Sequence, residues 1–258
     1  MLRFRNLGSG STGNATVVEA NGPAGVARAL VDCGLQLRHL DQRLASAGLR
    51  GEDIDILFIT HEHGDHIGCA QAFSRRHRTP VWMSHGTHEA LGSSGFEAVF
   101  CRAQDGVSMQ VRHLQLTPFT VPHDAREPLQ LVCSDGQSRL GILTDLGHAS
   151  PHVQEQLGLC HALLLECNHD PALLAGSSYP DFLKQRIAGR QGHLSNQQAA
   201  DLLRRLDHSG LRQVVAAHLS ERNNRPDLAQ QALGQALGRA PASIRVAHPE
   251  HGTEWIEV

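Results

Sequence analysis

The amino-acid sequence predicts an α/β protein in which two β-sheets pack face to face between helices, a four-layer αββα sandwich. Apolar segments of strand length cluster near the start of the chain and later alternate with helical segments. Neither a low-complexity linker nor a repeat of fixed period interrupts the 258 residues. We therefore expect a single domain over residues 1–258, because a domain of this size buries a substantial core without disulfide bonds.

The predicted strands are short runs rich in valine, leucine and isoleucine, bounded by turn-forming residues. They cover residues 2–7, 15–19, 26–31, 54–59, 80–83, 114–120, 129–133, 140–144, 162–166, 213–217, 243–246 and 253–257. The predicted helices cover residues 37–47, 66–77, 151–156, 180–187, 196–206 and 226–237. Ser195 is suited to cap the helix that follows it, and Pro226 suits the first turn of the last helix. The Gly-rich segment 92–95 is the best candidate for a mobile loop.

The charge and the cysteine spacing exclude several classes of protein. A formal net charge of -3 argues against a strongly basic protein that coats nucleic acid. The 6 cysteines are scattered without a C-x-x-C pair, which indicates neither a zinc ribbon nor a disulfide framework. The sequence contains neither a signal-peptide core nor an apolar run of the roughly 20 residues that a membrane helix needs. We expect a cytoplasmic protein that does not enter membranes, and the sequence does not predict its oligomeric state.

The strongest functional signal is a cluster of four potential metal ligands directly after an apolar strand. The chain reads T-H-E-H-G-D-H, which contains His61, His63, Asp65 and His66. In extended backbone His61 and His63 point to the same side. Gly64 permits a sharp turn, after which Asp65 and His66 face the same volume from the start of a helix. Two imidazoles for one metal, with a carboxylate and an imidazole for a second, are what a two-metal site requires.

Further ligands are expected where other apolar runs end on the same rim. His123, Asp145 and His218 are each the first strong metal-ligand type at such a point. Asp145 is suited to bridge two metals, which dinuclear hydrolases hold roughly 3.5–4 Å apart. Capping or turn formation is the alternative role for each of these residues taken alone.

This arrangement of histidines and aspartates resembles the metallo-β-lactamase superfamily over essentially the whole chain. The ligands that the resemblance implies are His61, His63 and His123 on one metal, Asp65, His66 and His218 on the other, and Asp145 on both. Asp32, in the segment V-D-C-G, matches an early aspartate of the superfamily. The role implied for Asp32 is to orient the ligand turn by hydrogen bonding.

Two motifs favour a phosphodiester substrate. The turn G-S-G-S-T-G-N, which includes Ser11 and Asn14, either offers backbone N–H groups to a phosphate or simply permits a tight turn. The segment G-H-L-S-N resembles the histidine loop of tRNase Z-type nucleases, in which that histidine assists phosphoryl chemistry. His193 and Ser195 are therefore candidates to contact a phosphate oxygen or the leaving group, and the alternative is an exposed loop.

Together with V-P-H-D-A-R-E-P, L-E-C-N-H-D and H-L-S-E-R-N-N, these motifs resemble the YycJ (WalJ) group. That resemblance implies 5′-to-3′ DNA exonuclease activity and a nucleic-acid substrate. Glu166 and Asn168 follow an apolar strand and are expected near the rim of the site, without an assigned role. The candidates for phosphate contacts, each of which is also explained as a solvated surface charge, are Arg126, Lys184, Arg186, Arg190, Arg222 and Arg225.

The expected reaction is hydrolysis of a phosphodiester by a hydroxide that bridges two divalent metal ions, zinc or manganese, with iron also compatible. Asp65 would bind metal and orient or deprotonate the water, and His193 would protonate the departing oxygen. Two alternatives stay open. The first is a thioesterase or lactonase that acts on a small acyl substrate with the same ligands, and the second is a non-catalytic regulatory metal-binding protein.

Overall fold

The computed structural model describes residues 1–23, 25–92, 95–96 and 99–258, and within them two seven-stranded sheets form the centre of the molecule. The strands of the first sheet are β1 (Leu2–Gly8), β2 (Ala15–Gly22), β3 (Gly25–Val31), β4 (Ile56–Phe58), β5 (Val81–Met83), β6 (Phe100–Arg102) and β14 (Ile256–Glu257). Strands β1 to β3 pair antiparallel and β3 to β6 pair parallel. Because β14 pairs with β1, both ends of the chain lie in one sheet, which supports our proposal that residues 1–258 form one domain.

The second sheet contains the remaining strands. They are β7 (Met109–Val111), β8 (Leu114–Thr120), β9 (Leu129–Ser134), β10 (Arg139–Leu143), β11 (Ala162–Glu166), β12 (Gln213–Ala217) and β13 (Arg245–Val246). Strands β7 to β10 form an antiparallel meander, and β10 to β13 run parallel to one another. The helices are α1 (Leu37–Ser46), α2 (Gly64–Ile67), α3 (Ala70–His77), α4 (His85–Ala90), α5 (Pro151–Leu157), α6 (Pro171–Gly176), α7 (Asp181–Ile187), α8 (Asn196–Arg205) and α9 (Pro226–Leu237).

Successive side chains of each strand point to opposite faces of the sheet, and this alternation builds the layers of the fold. Val18 of β2 and Phe58 of β4 pack between the sheets, whereas their neighbours Val17 and Leu57 pack under the helices of the first sheet. A third apolar cluster joins the outer face of the second sheet to α5, α8 and α9. The predicted α/β sandwich is therefore confirmed.

The predicted helix 66–77 was wrong in one respect, because it consists of two helices, α2 and α3. The chain turns between them at Gly68, which has a φ of 26° and where a Cβ atom would collide with the Cys33 carbonyl oxygen. The glycine that allows the sharp turn is therefore Gly68, whereas Gly64 simply begins α2. Sequence analysis also missed β6, β7, α4 and α6, each of six residues or fewer.

Two further expectations concern the surface. Among the residues that the structure describes, no helix has the length and apolar character needed to cross a membrane. The predicted mobile loop at 92–95 includes Ser93 and Ser94, which lie outside the described residues.

Candidate metal centre

The candidate ligands follow strands that end at the same edge of the two sheets. Strands β3 and β4 run parallel, as do β10, β11 and β12, so their carboxyl ends meet there. The side chains at these strand ends are Asp32 after β3, His61 and His63 after β4, His123 after β8, Asp145 after β10, Glu166 at the end of β11 and His218 after β12. The topology therefore gathers residues that are far apart in sequence.

Three imidazoles converge in the first group of candidate ligands. His63 Nδ1 lies 3.0 Å from His61 Nε2 and 3.3 Å from His123 Nε2. Burial, reinforced by His66, lowers the pKa of His61 well below its usual value, and burial also lowers the pKa of His123. Both rings therefore favour the neutral form, which is the form of histidine that binds a metal.

Asp65, His66 and His218 form the second group. Asp65 Oδ2 lies 3.6 Å from His66 Nε2 and 3.4 Å from His218 Nε2. Burial lowers the pKa of both histidines, but the surrounding carboxylates together outweigh it, Asp145 and Asp32 at His66 and Asp145, Asp65 and Glu166 at His218, so both pKa values lie well above normal. Positive charge is thus favoured at this position, and either a proton or a metal ion would supply it.

Asp145 lies between the two groups. Its Oδ2 atom is 3.0 Å from His66 Nε2, and its Oδ1 atom is 3.7 Å from His123 Nε2. Apart from this approach of the His66 ring, the buried Asp145 Oδ2 has no hydrogen-bond partner among the described residues. Three buried carboxylates lie at this centre, those of Asp32, Asp145 and Glu166. In the part of the chain that the structure describes, they form ion pairs only with histidines. Such carboxylates are costly to bury without a cation, so this donor set fits divalent metal ions.

Asp32 forms hydrogen bonds to the loop that carries four of the candidate ligands. Asp32 Oδ2 accepts a hydrogen bond from His66 Nδ1 at 2.8 Å, and Asp32 Oδ1 accepts one from Thr60 N at 2.9 Å. Because Nδ1 donates to Asp32, His66 presents its Nε2 lone pair to the centre. Gly34 lets β3 approach the loop, since a Cβ atom there would collide with the Asp65 carbonyl oxygen. The V-D-C-G segment therefore supports the ligand loop both by hydrogen bonding and by shape.

His218 is held in an uncommon backbone conformation. Its φ is 53°, in the left-handed region that histidine rarely adopts. Its N–H donates to Ser9 Oγ at 2.7 Å, and its carbonyl oxygen accepts a hydrogen bond from Asn168 Nδ2 at 3.1 Å. Asn168, which had no assigned role from sequence, thus positions the backbone of a candidate ligand.

The glycine- and serine-rich turn packs directly against the second ligand group. The Asn14 backbone N–H donates to the Asp65 carbonyl oxygen at 2.8 Å, and Asn14 Nδ2 lies 3.1 Å from His66 Nε2. Ser11 lies on the exposed side of the turn and lines the cavity above the centre. Asn14 therefore supports the ligands, whereas Ser11 is open to a substrate.

His193 lies beside both ligand groups. Its ring centroid is 5.2 Å from that of His123 and 5.3 Å from that of His218. Its Nδ1 atom is 2.7 Å from Glu166 Oε1, and its side chain is 22% exposed to the cavity. Burial lowers the pKa of His193, but the charge and hydrogen bond of Glu166, together with the charge of Asp145, outweigh it, so the pKa lies above its usual value.

The cavity above the centre has a volume of about 220 Å³. Its lining residues are Ser11, His63, Asp65, Asp124, Asp145, Leu183, Arg186, Ile187, Gly192, His193 and His218. Arg186 is the one candidate phosphate-binding residue from sequence that lines it, and its Nε atom donates to Asp124 Oδ2 at 2.6 Å. Ser195 does not line this cavity, and its hydroxyl caps α8 by accepting a hydrogen bond from Gln198 N at 3.2 Å.

Sequence analysis missed two acidic residues near the centre. Asp124 Oδ1 lies 3.8 Å from His63 Nε2 and 3.5 Å from His123 Nε2, so it contacts two candidate ligands. Glu62 Oε1 accepts a hydrogen bond from the backbone N–H of Arg126 at 2.7 Å and ties the two ligand loops together. Both residues stand directly beside predicted ligands in T-H-E-H and V-P-H-D, which was the available signal.

The chain is similar in sequence to a known family and to two curated proteins. A family model described as a beta-lactamase superfamily domain matches residues 27–219. Exodeoxyribonuclease WalJ of Streptococcus pneumoniae is 29% identical over 250 residues, which are 95% of this chain and 91% of that protein. Exodeoxyribonuclease YycJ of Bacillus anthracis is 29% identical over 257 residues, which are 98% of this chain and 96% of that protein.

A solved structure shares the fold at low sequence identity. The metallo-beta-lactamase fold protein YhfI of Bacillus subtilis superposes with a TM-score of 0.75 at 14% identity, and the match covers 100% of both chains. The span matched by the family model runs from β3 to the residue after His218, and so includes every candidate ligand. This chain belongs to the beta-lactamase superfamily.

Proposed function

We propose that this protein is a metal-dependent phosphodiesterase that degrades DNA in the 5′-to-3′ direction. Metal-dependent hydrolysis follows from the superfamily and from the cluster of histidines and carboxylates. The DNA substrate, the polarity and the use of two metal ions are the finer parts of the proposal. Their support is the resemblance to relatives named exodeoxyribonuclease, together with the position of His193.

The proposed ligands are divided between two metal ions. His61, His63 and His123 would hold one ion, Asp65, His66 and His218 would hold the other, and Asp145 would contribute to both. The ligand types suit zinc or manganese and also accept iron. Bound at this centre, such ions supply a Lewis acid that lowers the pKa of a water and offsets the charge of a phosphate. The residues of the chain supply the rest of the chemistry.

The observation that carries the proposal is the His193–Glu166 pair beside both ligand groups. Because Glu166 Oε1 accepts a hydrogen bond from His193 Nδ1, the other ring nitrogen, Nε2, is left for the substrate. A protonated His193 can then donate the Nε2 proton to the departing 3′ oxygen, while Glu166 stabilises the imidazolium. An alkoxide is a poor leaving group, so hydrolysis of DNA benefits from such a donor more than hydrolysis of a thioester does.

Asp65 has a second role in the proposed reaction. Its carboxylate lines the cavity and is 23% exposed, unlike the nearly buried side chain of Asp145. We propose that an Asp65 oxygen accepts a hydrogen bond from the attacking water and orients it toward phosphorus. Arg186, at the mouth of the same cavity, is suited to contact a phosphate oxygen of the DNA backbone.

The test is degradation of a 5′-phosphorylated, 3′-labelled DNA duplex with added manganese or zinc. We expect progressive shortening from the 5′ end by the wild type, and severe loss of activity in Asp65→Ala and His193→Ala. His251→Ala is the matched control, because the His251 side chain is 77% exposed and does not line the cavity. If the metal-loaded wild type leaves DNA and RNA intact but hydrolyses thioesters or lactones, the acyl-hydrolase alternative replaces this proposal.

A further inference from the structure

Helix α7 exposes apolar side chains beside the metal centre. Its sequence includes Phe182, Leu183 and Ile187, yet none of its residues is buried. Phe182 is 72% exposed. The other exposed large apolar side chains of the described ranges are Met1, Val107 and Leu159, none of them aromatic. An exposed aromatic ring beside the cavity offers a flat apolar face on which an unpaired base could stack.

Helix α7 borders both the cavity above the metal centre and a groove next to it. Leu183, Arg186 and Ile187, spaced three and four residues apart, line the cavity above the metal centre. Gln185 and Arg186 also line a neighbouring groove of about 500 Å³, together with His148 and Arg190. Phe182 lies one helical turn before Gln185 and Arg186 and so shares a face of α7 with these two groove residues, although its ring does not itself line the groove.

Two hydrogen bonds hold α7 in place, one to the loop of His193 and one to α6. The Ile187 carbonyl oxygen accepts a hydrogen bond from the backbone N–H of His193 at 2.8 Å. Lys184 Nζ donates to the Ala175 carbonyl oxygen at 2.7 Å and joins α7 to α6. A ligand bound on α7 is consequently held at a fixed position relative to His193.

The charges in this segment indicate the chemistry of the ligand. Residues 181–192 include Lys184, Arg186 and Arg190, against the single acidic residue Asp181. Of the cations that line the groove, Arg186 pairs with Asp124, whereas Arg190 has no carboxylate partner among the described residues, so the lining keeps one surplus positive charge. A basic groove with an exposed aromatic ring suits single-stranded nucleic acid, because phosphates bind the cations and unpaired bases stack on the ring.

We infer that this groove takes the unpaired DNA strand that adjoins the scissile phosphate, with Phe182 stacking on a base and Arg186 and Arg190 contacting backbone phosphates. The inference rests on the proposed function and adds a binding site outside the metal centre. It also implies that the end of a duplex is opened before cleavage, since a stacked base must leave its pair.

The experiment measures binding separately from cleavage. The probe is a 5′-phosphorylated single-stranded oligonucleotide with phosphorothioate linkages that resist hydrolysis, titrated with the manganese-loaded protein by fluorescence anisotropy. We expect Phe182→Ala to raise Kd about tenfold and Phe182→Trp to keep the wild-type Kd. Val107→Ala is the matched control, because Val107 is an apolar side chain that is 56% exposed and lies just before β7, outside α7.

A second series moves one abasic site along the same oligonucleotide. At one position, loss of the base is expected to raise Kd about tenfold for the wild type and hardly at all for Phe182→Ala, because the stacking partner is already missing. That coupling would identify the stacked base. A general effect of the substitution on folding would not depend on position.

Three results would overturn the inference in distinguishable ways. If the wild type degrades DNA while Phe182→Ala binds the probe as tightly as the wild type, the inference fails and the proposed function stands. If the wild type neither binds nor degrades DNA, the proposed function fails and the inference falls with it. If Phe182→Ala changes only self-association, measured by sedimentation, the surface is a contact between copies of this chain.

Discussion

Glu166 Oε1 lies 2.7 Å from His193 Nδ1, and the same oxygen lies 3.2 Å from His218 Nδ1. The other oxygen, Oε2, accepts hydrogen bonds from the backbone N–H groups of Leu146 and Leu194. One buried carboxylate therefore sets the ring orientation of a proposed metal ligand and of the proposed proton donor. Coupling the two in this way keeps the donor at a fixed distance from the metal centre.

The proposed role of His193 predicts a dependence on the leaving group. We expect His193→Ala to lower kcat on DNA by about 10²–10⁴-fold, because the alkoxide then departs without a proton. On bis(4-nitrophenyl) phosphate the loss should be much smaller, since nitrophenolate leaves without protonation. Steady-state kinetics on both substrates with the same metal measures the difference.

Glu166→Gln should show the same dependence with a smaller loss, because the amide keeps one acceptor for His193 but removes the negative charge. His251→Ala is again the control. An equal loss of activity on both substrates would assign His193 to binding or folding instead of proton transfer.

The two ligand groups predict the metal content of the protein. We expect about two equivalents of manganese or zinc in the wild type, with about one equivalent retained in His63→Ala and in His218→Ala, because each variant damages one group. Elemental analysis of the purified proteins measures this. A wild type that holds one equivalent at saturating metal would contradict the two-metal proposal.

Metal removal should also destabilise the fold. A metal that binds the folded chain at one hundred times its Kd stabilises that state by about 2.7 kcal/mol. Thermal unfolding with and without a chelator should therefore give a lower Tm for the chelated protein. The shift should be reduced in both histidine variants.

The convergence of the candidate ligands could be predicted because the signals that mark strand ends are local. A histidine or aspartate directly after an apolar run stands at a strand end, and parallel strands bring their ends to one edge, as they do for Asp145 and His218. The split of the helix after His66 was less accessible, because Gly68 acts through a contact with Cys33 that lies 35 positions earlier in the sequence. Long-range contacts of this kind leave no periodic pattern.

The roles of other residues depended on tertiary structure for the same reason. Asn168 was expected near the rim, but its hydrogen bond to the His218 carbonyl oxygen joins two strands distant in sequence. Helix α7 was predicted as an ordinary helix at 180–187, and only the structure shows that Phe182 is left uncovered. Sequence indicates which side chains are suited to chemistry, whereas their neighbours decide how each is used.

Asp32 offers a test of ligand orientation that leaves the fold intact. We expect Asp32→Asn to weaken metal affinity about 10–100-fold, because a neutral amide holds His66 Nδ1 less firmly than a carboxylate does. Asparagine tolerates the left-handed backbone at this position, where φ is 61°. Competition with a chelating dye measures the affinity.

Asp41→Asn is the matched control for Asp32→Asn, because Asp41 is 40% exposed and pairs with Arg76 at the surface. Its metal affinity should equal that of the wild type. If Asp32→Asn binds metal as tightly as Asp41→Asn, then Asp32 does not orient the ligand loop.

Ser195 distinguishes a structural role from a substrate contact. Its hydroxyl accepts a hydrogen bond from Gln198 N, and Gln198 Oε1 accepts one from Ser195 N, a reciprocal cap at the start of α8. We expect Ser195→Ala to lower the free energy of unfolding by about 1 kcal/mol in urea denaturation, with KM for DNA unchanged. Ser195→Asp should keep most of the stability, because aspartate is also a good cap. A raised KM with unchanged stability would instead place this hydroxyl at the substrate, because loss of a cap acts on folding alone.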